Sequence, residues 1–205
     1  MPARAKKSPN DAHLIQIVDA ALADATRRSG EWLVCKPGCT DCCHGIFAIN
    51  QLDAERLRLG MADLQGRDPA RARRIRARAR KSIARIAPGF PGDIHTGVLD
   101  ETEEAAQQFE GLGNDEPCPV LDPESGLCDL YSSRPMTCRV FGPPVRSGEE
   151  GGLGVCELCY HGATDEQIAS CEMEPDPENI EARVLANVEQ RTSLRGSTIV
   201  AFCVR

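Results

Sequence analysis

Hydrophobic residues recur every three or four positions at the start of the chain, over residues 9–28, which predicts an amphipathic helix. The apolar stripe consists of Leu14, Val18, Ala21, Leu22 and Ala25. Ser8 is the expected N-cap and Pro9 the first helical residue, because these residue types favour those positions. Gly30 marks the expected end of the helix.

Four further stretches predict helices. One starts near Asp53, and a second covers residues 69–87. The apolar stripe of the second is Ala72, Ile75, Ala79, Ile83 and Ile86. A short helix is expected over 101–111, and a last one from Asp176, the expected N-cap, to about Arg191. The closing stretch "STIVAFCVR" has the continuous apolar run of a strand.

Residues 113–162 show no helical period and are rich in Pro, Gly and Cys. A stretch of this length is too long for a simple loop in a compact domain, so something other than apolar burial must hold it in place. The expected fold is therefore mainly α: a small helical domain with an irregular cysteine-rich segment that is stapled by metal.

The expected organisation has three parts. Residues 1–32 form an N-terminal helix, and residues 33–162 form a cysteine-cluster domain into which the helix 69–87 is inserted. Residues 163–205 supply a C-terminal helix and a short strand that pack on that domain. The 205-residue length suits a single domain with such additions.

The eleven cysteines bear on location and chemistry. No apolar run is long enough to cross a membrane, and the basic N-terminus lacks the apolar core of an export signal. A cytoplasmic location is expected. Structural disulfides are rare in that reducing compartment, so the cysteines indicate metal binding or redox chemistry.

Charge is distributed unevenly along the chain. The net charge of −7 argues against a general nucleic-acid binder. Residues 67–85 nevertheless carry nine basic side chains, and residues 100–124 carry nine acids and no base. The favoured interpretation is a solvated helix facing the acidic stretch. The alternative is a surface for an acidic protein or RNA, although no aromatic residue is present there to stack on bases.

The first cysteine cluster is "CKPGCTDCC". Cys35, Cys39 and Cys42 stand at i, i+4 and i+7, within reach of one ion. Cys43 is adjacent to Cys42, and neighbouring side chains diverge in regular structure. The pair is therefore expected to serve different metal ions, or different irons of one cluster. Buried free cysteines are the disfavoured alternative, because four occur within nine positions.

A second set of cysteines lies downstream. Cys118, Cys128 and Cys138 follow at intervals of ten, and Cys156 and Cys159 form a C-x2-C pair that is typical of half a zinc or iron site. The two sets provide nine candidate metal ligands, with His44 and His161 beside them. Cys171 and Cys203 stand apart, and Cys203 is expected in the hydrophobic core. The aromatic residues near these cysteines would form the apolar shell of a metal site: Trp32, Phe47, Tyr131, Phe141 and Tyr160.

The ordered combination of "CKPGCTDCC" with "CPVL", "GLCDLY" and "RPMTCRVF" resembles the YkgJ-type cysteine-cluster family of zinc- or iron-chelating domains, over roughly residues 33–162. The resemblance implies a ligand set of Cys35, Cys39, Cys42, Cys43, Cys118, Cys128 and Cys138. It implies one more downstream cysteine, for which both Cys156 and Cys159 are available. The family is related through its cluster to the flagellin lysine methylase FliB, and it implies a metal without implying a reaction.

The leading functional hypothesis is a metal-binding protein whose thiolates hold one or two ions or clusters, with zinc or an iron–sulfur cluster as cofactor. An enzyme is the alternative. The Cys35, Cys39 and Cys42 spacing matches that of radical S-adenosylmethionine enzymes, although no β/α succession follows the motif. FliB-like protein lysine methylation is a second enzymatic alternative, by analogy alone.

Two other hypotheses remain open. Cys138, flanked by Arg134 and Arg139, is the best candidate for a nucleophile. The favoured use of those arginines is to donate to thiolate sulfurs or to pair with acids such as Asp129. A metal-stapled interaction module that uses the basic helix is the other hypothesis.

Overall fold

The structure is a computed structural model that describes residues 9–147 and 152–205. Within these ranges the chain is mainly helical, which confirms the expected fold class. The helices are α1 (Pro9–Ser29), α2 (Gln51–Arg67), α3 (Pro69–Ile86), α4 (Glu103–Glu110), α5 (Met136–Val140), α6 (Asp165–Ser170), α7 (Ile180–Thr192) and α8 (Val200–Cys203). Two antiparallel hairpins pair β1 (Gly92–Asp93) with β2 (Val98–Leu99), and β3 (Val145–Ser147) with β4 (Gly152–Gly154).

The helix starts follow from side chains that cap the backbone. Asn50 accepts a 3.0 Å hydrogen bond from the backbone N–H of Asp53, so α2 begins before Asp53 rather than at it. Asp68 accepts from Arg71 N–H at 2.9 Å at the start of α3. Ser8, the expected cap of α1, lies outside the described residues.

Helix α7 begins several residues after the residue that caps it. The carboxylate of Asp176 accepts from the backbone N–H groups of Ile180 and Glu181, both at 2.8 Å. The regular helix begins only at Ile180, after Asn179 takes a left-handed φ of 51°. Asp176 therefore caps this helix from a short turn in front of it.

The expected C-terminal strand is wrong. Residues Val200–Cys203 form the short helix α8, and strand-like pairing is limited to one bridge between Ile49 and Thr198. Residues 199–204 are buried throughout. A short apolar run that is buried on every side lacks the alternation that would distinguish a strand from a helix.

The chain divides into two compact units. Among the described residues, unit 1 comprises Gly38–Pro135 and Leu185–Arg205, and unit 2 comprises 9–37 and 136–184 apart from the undescribed positions. Both units are built from separate stretches of chain. The three-part division expected from the sequence stays a prediction.

The core of unit 1 lies between α2, α3 and α8. Leu57 of α2 and Ile75 of α3 are fully buried, and Val200 of α8 joins the same cluster. Cys118 and Cys128 pack against this cluster from its edge. The hydrophobic core of unit 1 is thus in contact with two of the candidate ligands.

In unit 2, α1 packs against the short helix α5. Leu14 and Val18 of α1 are fully buried. Arg139 of α5 is itself buried and donates to Asp19 of α1 at 2.8 Å. This ion pair and the apolar stripe of α1 fix α5, which carries Cys138.

Candidate metal centre

In unit 1, a tight loop presents Cys42 and Cys43 of the first cluster. Residues Asp41–Cys43 form one turn of 3-10 helix, in which Cys43 N–H donates to Thr40 O at 2.8 Å. Gly45 follows with a φ of 86°, and a Cβ there would lie 3.1 Å from the carbonyl oxygen of Asn114. The left-handed turn and this close approach both require glycine.

A second loop of unit 1 lies alongside the first. The backbone N–H of Cys118 donates to the carbonyl oxygen of Cys43 at 2.8 Å, and His44 forms a bridge with Pro117. The loop then reverses direction, so that Leu121 pairs with Cys128. Cys118 and Cys128 consequently stand on the two arms of one hairpin-like loop, next to the Cys42–Cys43 turn.

The thiols of this group affect one another. The hydrogen bond between Cys42 and Cys43, more than burial, raises the pKa of Cys42. Burial raises the pKa of Cys118 to about 12, with smaller contributions from Cys128 and Cys42. Burial likewise raises the pKa of Cys128. Without a metal these sulfurs are protonated at neutral pH.

The contact between Cys42 and Cys43 differs from the sequence-based expectation. Adjacent side chains diverge in an α-helix or a strand, but here the pair lies at the end of a 3-10 turn. The two thiols hydrogen-bond to each other instead of pointing to separate places. Cys39 lies on the same loop and is half-buried.

Arginines of α3 fasten the second loop. Arg78 donates to the carbonyl oxygen of Pro119 at 2.8 Å and to the carboxylate of Asp129 at 2.6 Å. Arg71 lies 3.2 Å from the same carboxylate, which is only 4% exposed. Because these contacts hold residues next to Cys118 and Cys128, α3 sets the positions of both arms.

The arginine partners expected from the sequence are corrected here. Asp129 pairs with Arg71 and Arg78 rather than with Arg134. Arg134 lies over the ring of Tyr131, 4.0 Å from its centroid, and its charge slightly offsets the burial that raises the pKa of Cys128.

In unit 2, the C-x2-C pair forms a turn in which Cys159 N–H donates to Cys156 O at 2.9 Å. Both cysteines are buried. Gly142 lies between this turn and Cys35: its carbonyl accepts from Cys156 N–H, and a Cβ on it would lie 3.3 Å from the Cys35 sulfur. Cys138 is half-buried on α5, four residues before Gly142.

Cys171 belongs to the same buried cluster as Cys156, Cys159 and Tyr160, although its sequence position placed it outside both cysteine groups. Burial raises the pKa of Tyr160, whose hydroxyl also hydrogen-bonds with Ser29 and with Cys171. Cys171 carries no recognisable spacing to the C-x2-C pair, so no sequence signal could have found this neighbourhood.

Cys203 lies where the sequence predicted, in the hydrophobic core of unit 1. Its sulfur donates to the carbonyl oxygen of Ile199 at 3.5 Å. Burial raises its pKa to about 11. This cysteine packs as a small apolar residue.

None of the eleven cysteines, all of which lie in the described ranges, forms a disulfide. In the described part of the chain, no three His, Cys, Asp or Glu side chains converge closely enough to hold one ion as they stand. The donors nevertheless suit zinc or iron, because the candidate ligands of each unit are soft sulfur atoms. Ligation would require the thiol side chains to move.

The comparisons with known proteins agree with this chemistry. The family CxxCxxCC, described as "Putative zinc- or iron-chelating domain", matches residues 34–159, which is more than half of the chain. The chain belongs to this family. Its own first spacing is longer by one residue than the family's name, since three residues separate Cys35 from Cys39. No curated protein and no solved structure matches the chain.

The family match contains all nine candidate ligands, ends at Cys159, and leaves Cys171 and Cys203 outside. In the described ranges, no helix has the length and apolar character needed to span a membrane. The cytoplasmic location stays a prediction.

Proposed function

We propose that the protein binds metal in two thiolate centres, one in each unit. The observation that carries this proposal is the division of the nine candidate ligands between the units. Unit 1 contains Cys39, Cys42, Cys43, Cys118 and Cys128, and unit 2 contains Cys35, Cys138, Cys156 and Cys159. Each set is large enough for the four-thiolate coordination of zinc or of an iron–sulfur cluster.

The thiol contacts within unit 1 support a shared centre. Cys42 hydrogen-bonds to Cys43, and it lies close enough to Cys118 and Cys128 to contribute to the raised pKa of each. In unit 2, the backbone of Gly142 brings Cys35 next to the turn that carries Cys156. Both Cys156 and Cys159 lie in that turn, so the proposal takes both as ligands of the second centre.

The metal would supply cross-links where apolar burial is scarce. Short elements and turns make up most of residues 113–162, and metal binding can provide the folding free energy that such segments lack. Zinc would make the centres structural, whereas iron–sulfur clusters would add electron transfer. The chain's own residues contribute thiolate donors, their spacing, and the arginines of α3 that hold one loop.

The enzymatic alternatives have less support. Arg139 pairs with Asp19, which fits the favoured use of the arginines beside Cys138 as partners of acids rather than activation of a nucleophile. The described helices and two small hairpins contain no parallel β/α succession after the cysteine motif. Lysine methylation and S-adenosylmethionine chemistry therefore remain analogies of the motif.

The test is anaerobic purification, followed by measurement of zinc, iron and sulfide per chain and an absorption spectrum. The double variants Cys118→Ser/Cys128→Ser and Cys156→Ser/Cys159→Ser each remove two ligands from one unit. We expect each to lose about half of the metal and the two together to lose nearly all. Full metal content in either double variant would refute the centre in that unit, and loss of all metal in each would indicate one shared centre.

A further inference from the structure

The basic residues of helix α3 fall into two groups: those that pair with other residues of unit 1 and those that do not. Four arginines form hydrogen bonds or ion pairs within unit 1, namely Arg71, Arg76, Arg78 and Arg85. These four fit the interpretation of a helix that faces acidic and polar neighbours. They leave the remaining cations of the helix unexplained.

The remaining cations are Arg73, Arg74, Arg80 and Lys81, here called the basic stripe. All four are exposed, and none forms a hydrogen bond or ion pair with any residue that the structure describes. Arg74 does act on the exposed carboxylate of Asp68. The pKa of Asp68 is lowered mainly by the hydrogen bond from Arg71 N–H, and less by the charges of Arg71 and Arg74.

The basic stripe has a regular shape that follows from helix geometry. Successive residues turn by about 100°, so Arg73 and Arg80 fall in one row and Arg74 and Lys81 in another, roughly a quarter-turn away. Ala77 and Ala84 are exposed between the rows. The two pairs of cations stand about 10.5 Å apart along the axis. The two exposed alanines therefore lie between two rows of positively charged side chains.

This shape matches a ligand with negative charge along two parallel edges. The major groove of B-form DNA is about 12 Å wide, close to the roughly 10–12 Å diameter of a helix with its side chains, and phosphates line both edges. We propose that the basic stripe binds double-stranded DNA, with the exposed face of α3 at the major groove and the two rows on opposite phosphate backbones. This proposal is independent of the metal centres.

The composition of the stripe disfavours other polyanions. It has no aromatic side chain on which unpaired bases could stack, so single strands gain little beyond charge. The major groove of duplex RNA is narrow and deep and does not admit a helix. Alanines between the cations offer no hydrogen bonds to bases, so recognition would be independent of sequence.

The net charge of the whole chain restricts where DNA can bind. With a net charge of −7 the chain as a whole repels phosphate, so binding requires a local group of exposed cations such as the basic stripe. Binding through four phosphate contacts would show a slope of log K against log salt of about −3.6.

The experiment is fluorescence anisotropy of a labelled DNA duplex, titrated with the full-length protein as purified, between about 50 and 200 mM salt. The test variant is Arg73→Gln/Arg74→Gln/Arg80→Gln/Lys81→Gln. The matched control, Arg27→Gln/Arg58→Gln/Arg183→Gln/Arg195→Gln, changes the net charge equally at exposed positions elsewhere. Circular dichroism and metal content verify that both variants are folded.

We expect the test variant to bind at least tenfold more weakly, with a salt slope near zero, and the control to bind within about threefold of the unmodified protein. Equal weakening in both variants, or no binding by the unmodified protein at low salt, would overturn the proposal. Tighter binding of duplex RNA, single-stranded DNA or an acidic peptide would overturn the assignment to duplex DNA.

Discussion

The backbone N–H of Cys118 donates a 2.8 Å hydrogen bond to the carbonyl oxygen of Cys43. Seventy-five positions separate the two residues in the sequence, yet their main chains are joined without any side chain taking part. This backbone contact joins two cysteine-bearing loops of unit 1 without using a thiol. Replacing a nearby thiol should therefore remove a metal donor without separating the loops.

Substitution of a single cysteine tests this expectation. We predict that Cys39→Ser lowers metal content and soluble yield, because the variant loses one proposed ligand. Cys203→Ser is the control: its side chain lies in the core, and a serine hydroxyl can still donate to Ile199 O. Metal analysis of both purified variants decides the matter, and equal metal loss in both, or in neither, contradicts the ligand assignment.

Metal removal should be visible in the fluorescence of unit 2. Trp32 is the only tryptophan, its carbonyl accepts from Tyr160 N–H at 2.9 Å, and it packs on the cluster that contains Cys156 and Cys159. We predict that a chelator shifts tryptophan emission to longer wavelength and lowers the thermal unfolding midpoint.

The same emission provides a comparison between the units. Cys156→Ser/Cys159→Ser should reproduce the shift without chelator, whereas Cys118→Ser/Cys128→Ser should leave the emission close to that of the unmodified protein. An emission spectrum that is unchanged by complete metal removal would argue against a centre beside Trp32.

The Asp129 carboxylate should matter for the stability of the fold. This carboxylate is almost fully buried and receives both Arg71 and Arg78. We predict that Asp129→Asn destabilises the fold by about 1–3 kcal/mol, because it weakens two charged contacts in a buried place. Urea denaturation measures this change.

The control for that prediction is Asp24→Asn, which alters a carboxylate that is 46% exposed and pairs with Arg27 and Arg28. Its effect on the free energy of unfolding should be much smaller than that of Asp129→Asn, because water screens exposed ion pairs. If Asp129→Asn were equally mild, the arginines of α3 would not be what positions the second loop.

Two glycines should respond to alanine in opposite directions. Gly97 has a φ of 76°, and a Cβ there would lie 2.2 Å from the ring of Phe202, so Gly97→Ala should destabilise by more than about 2 kcal/mol. Gly66 lies within α2 with open space around it, so Gly66→Ala should stabilise by up to about 1 kcal/mol. Thermal unfolding of both variants checks the pair, and a destabilised Gly66→Ala would mean that this position is more crowded than described.

Periodicity and capping residues were sufficient to predict the longer helices, but not the short helices α5, α6 and α8. The stripe of Ile75 and its neighbours in α3 and the cap at Asp176 depend only on nearby residues, so a single sequence reveals them. The closing helix α8 was mistaken for a strand because burial on every side removes the pattern that separates the two. Local physics thus predicts elements well where one face remains exposed.

The candidate site was predicted less completely. Residue types and spacing identified the cysteines, but Cys35 and Cys39 fall in different units although only three residues separate them. Local spacing does not reveal that the chain passes from one unit to the other between these cysteines, because the division depends on which distant segments each part of the chain packs against. The neighbourhood of Cys171 was missed for the same reason, whereas the contact between Cys42 and Cys43 was missed because the pair lies in a 3-10 turn rather than in an α-helix or a strand.

The division into two units also determines when each core can form during synthesis. The core of unit 2 contains residues from 9–37 and residues up to 184, and the core of unit 1 contains α8. A ribosome must therefore release residues up to 184 before the core of unit 2 can close, and residues up to α8 before the core of unit 1 can close. During that interval the thiols of "CKPGCTDCC" are already outside the ribosome, so a metal ion delivered early would meet only part of its ligand set.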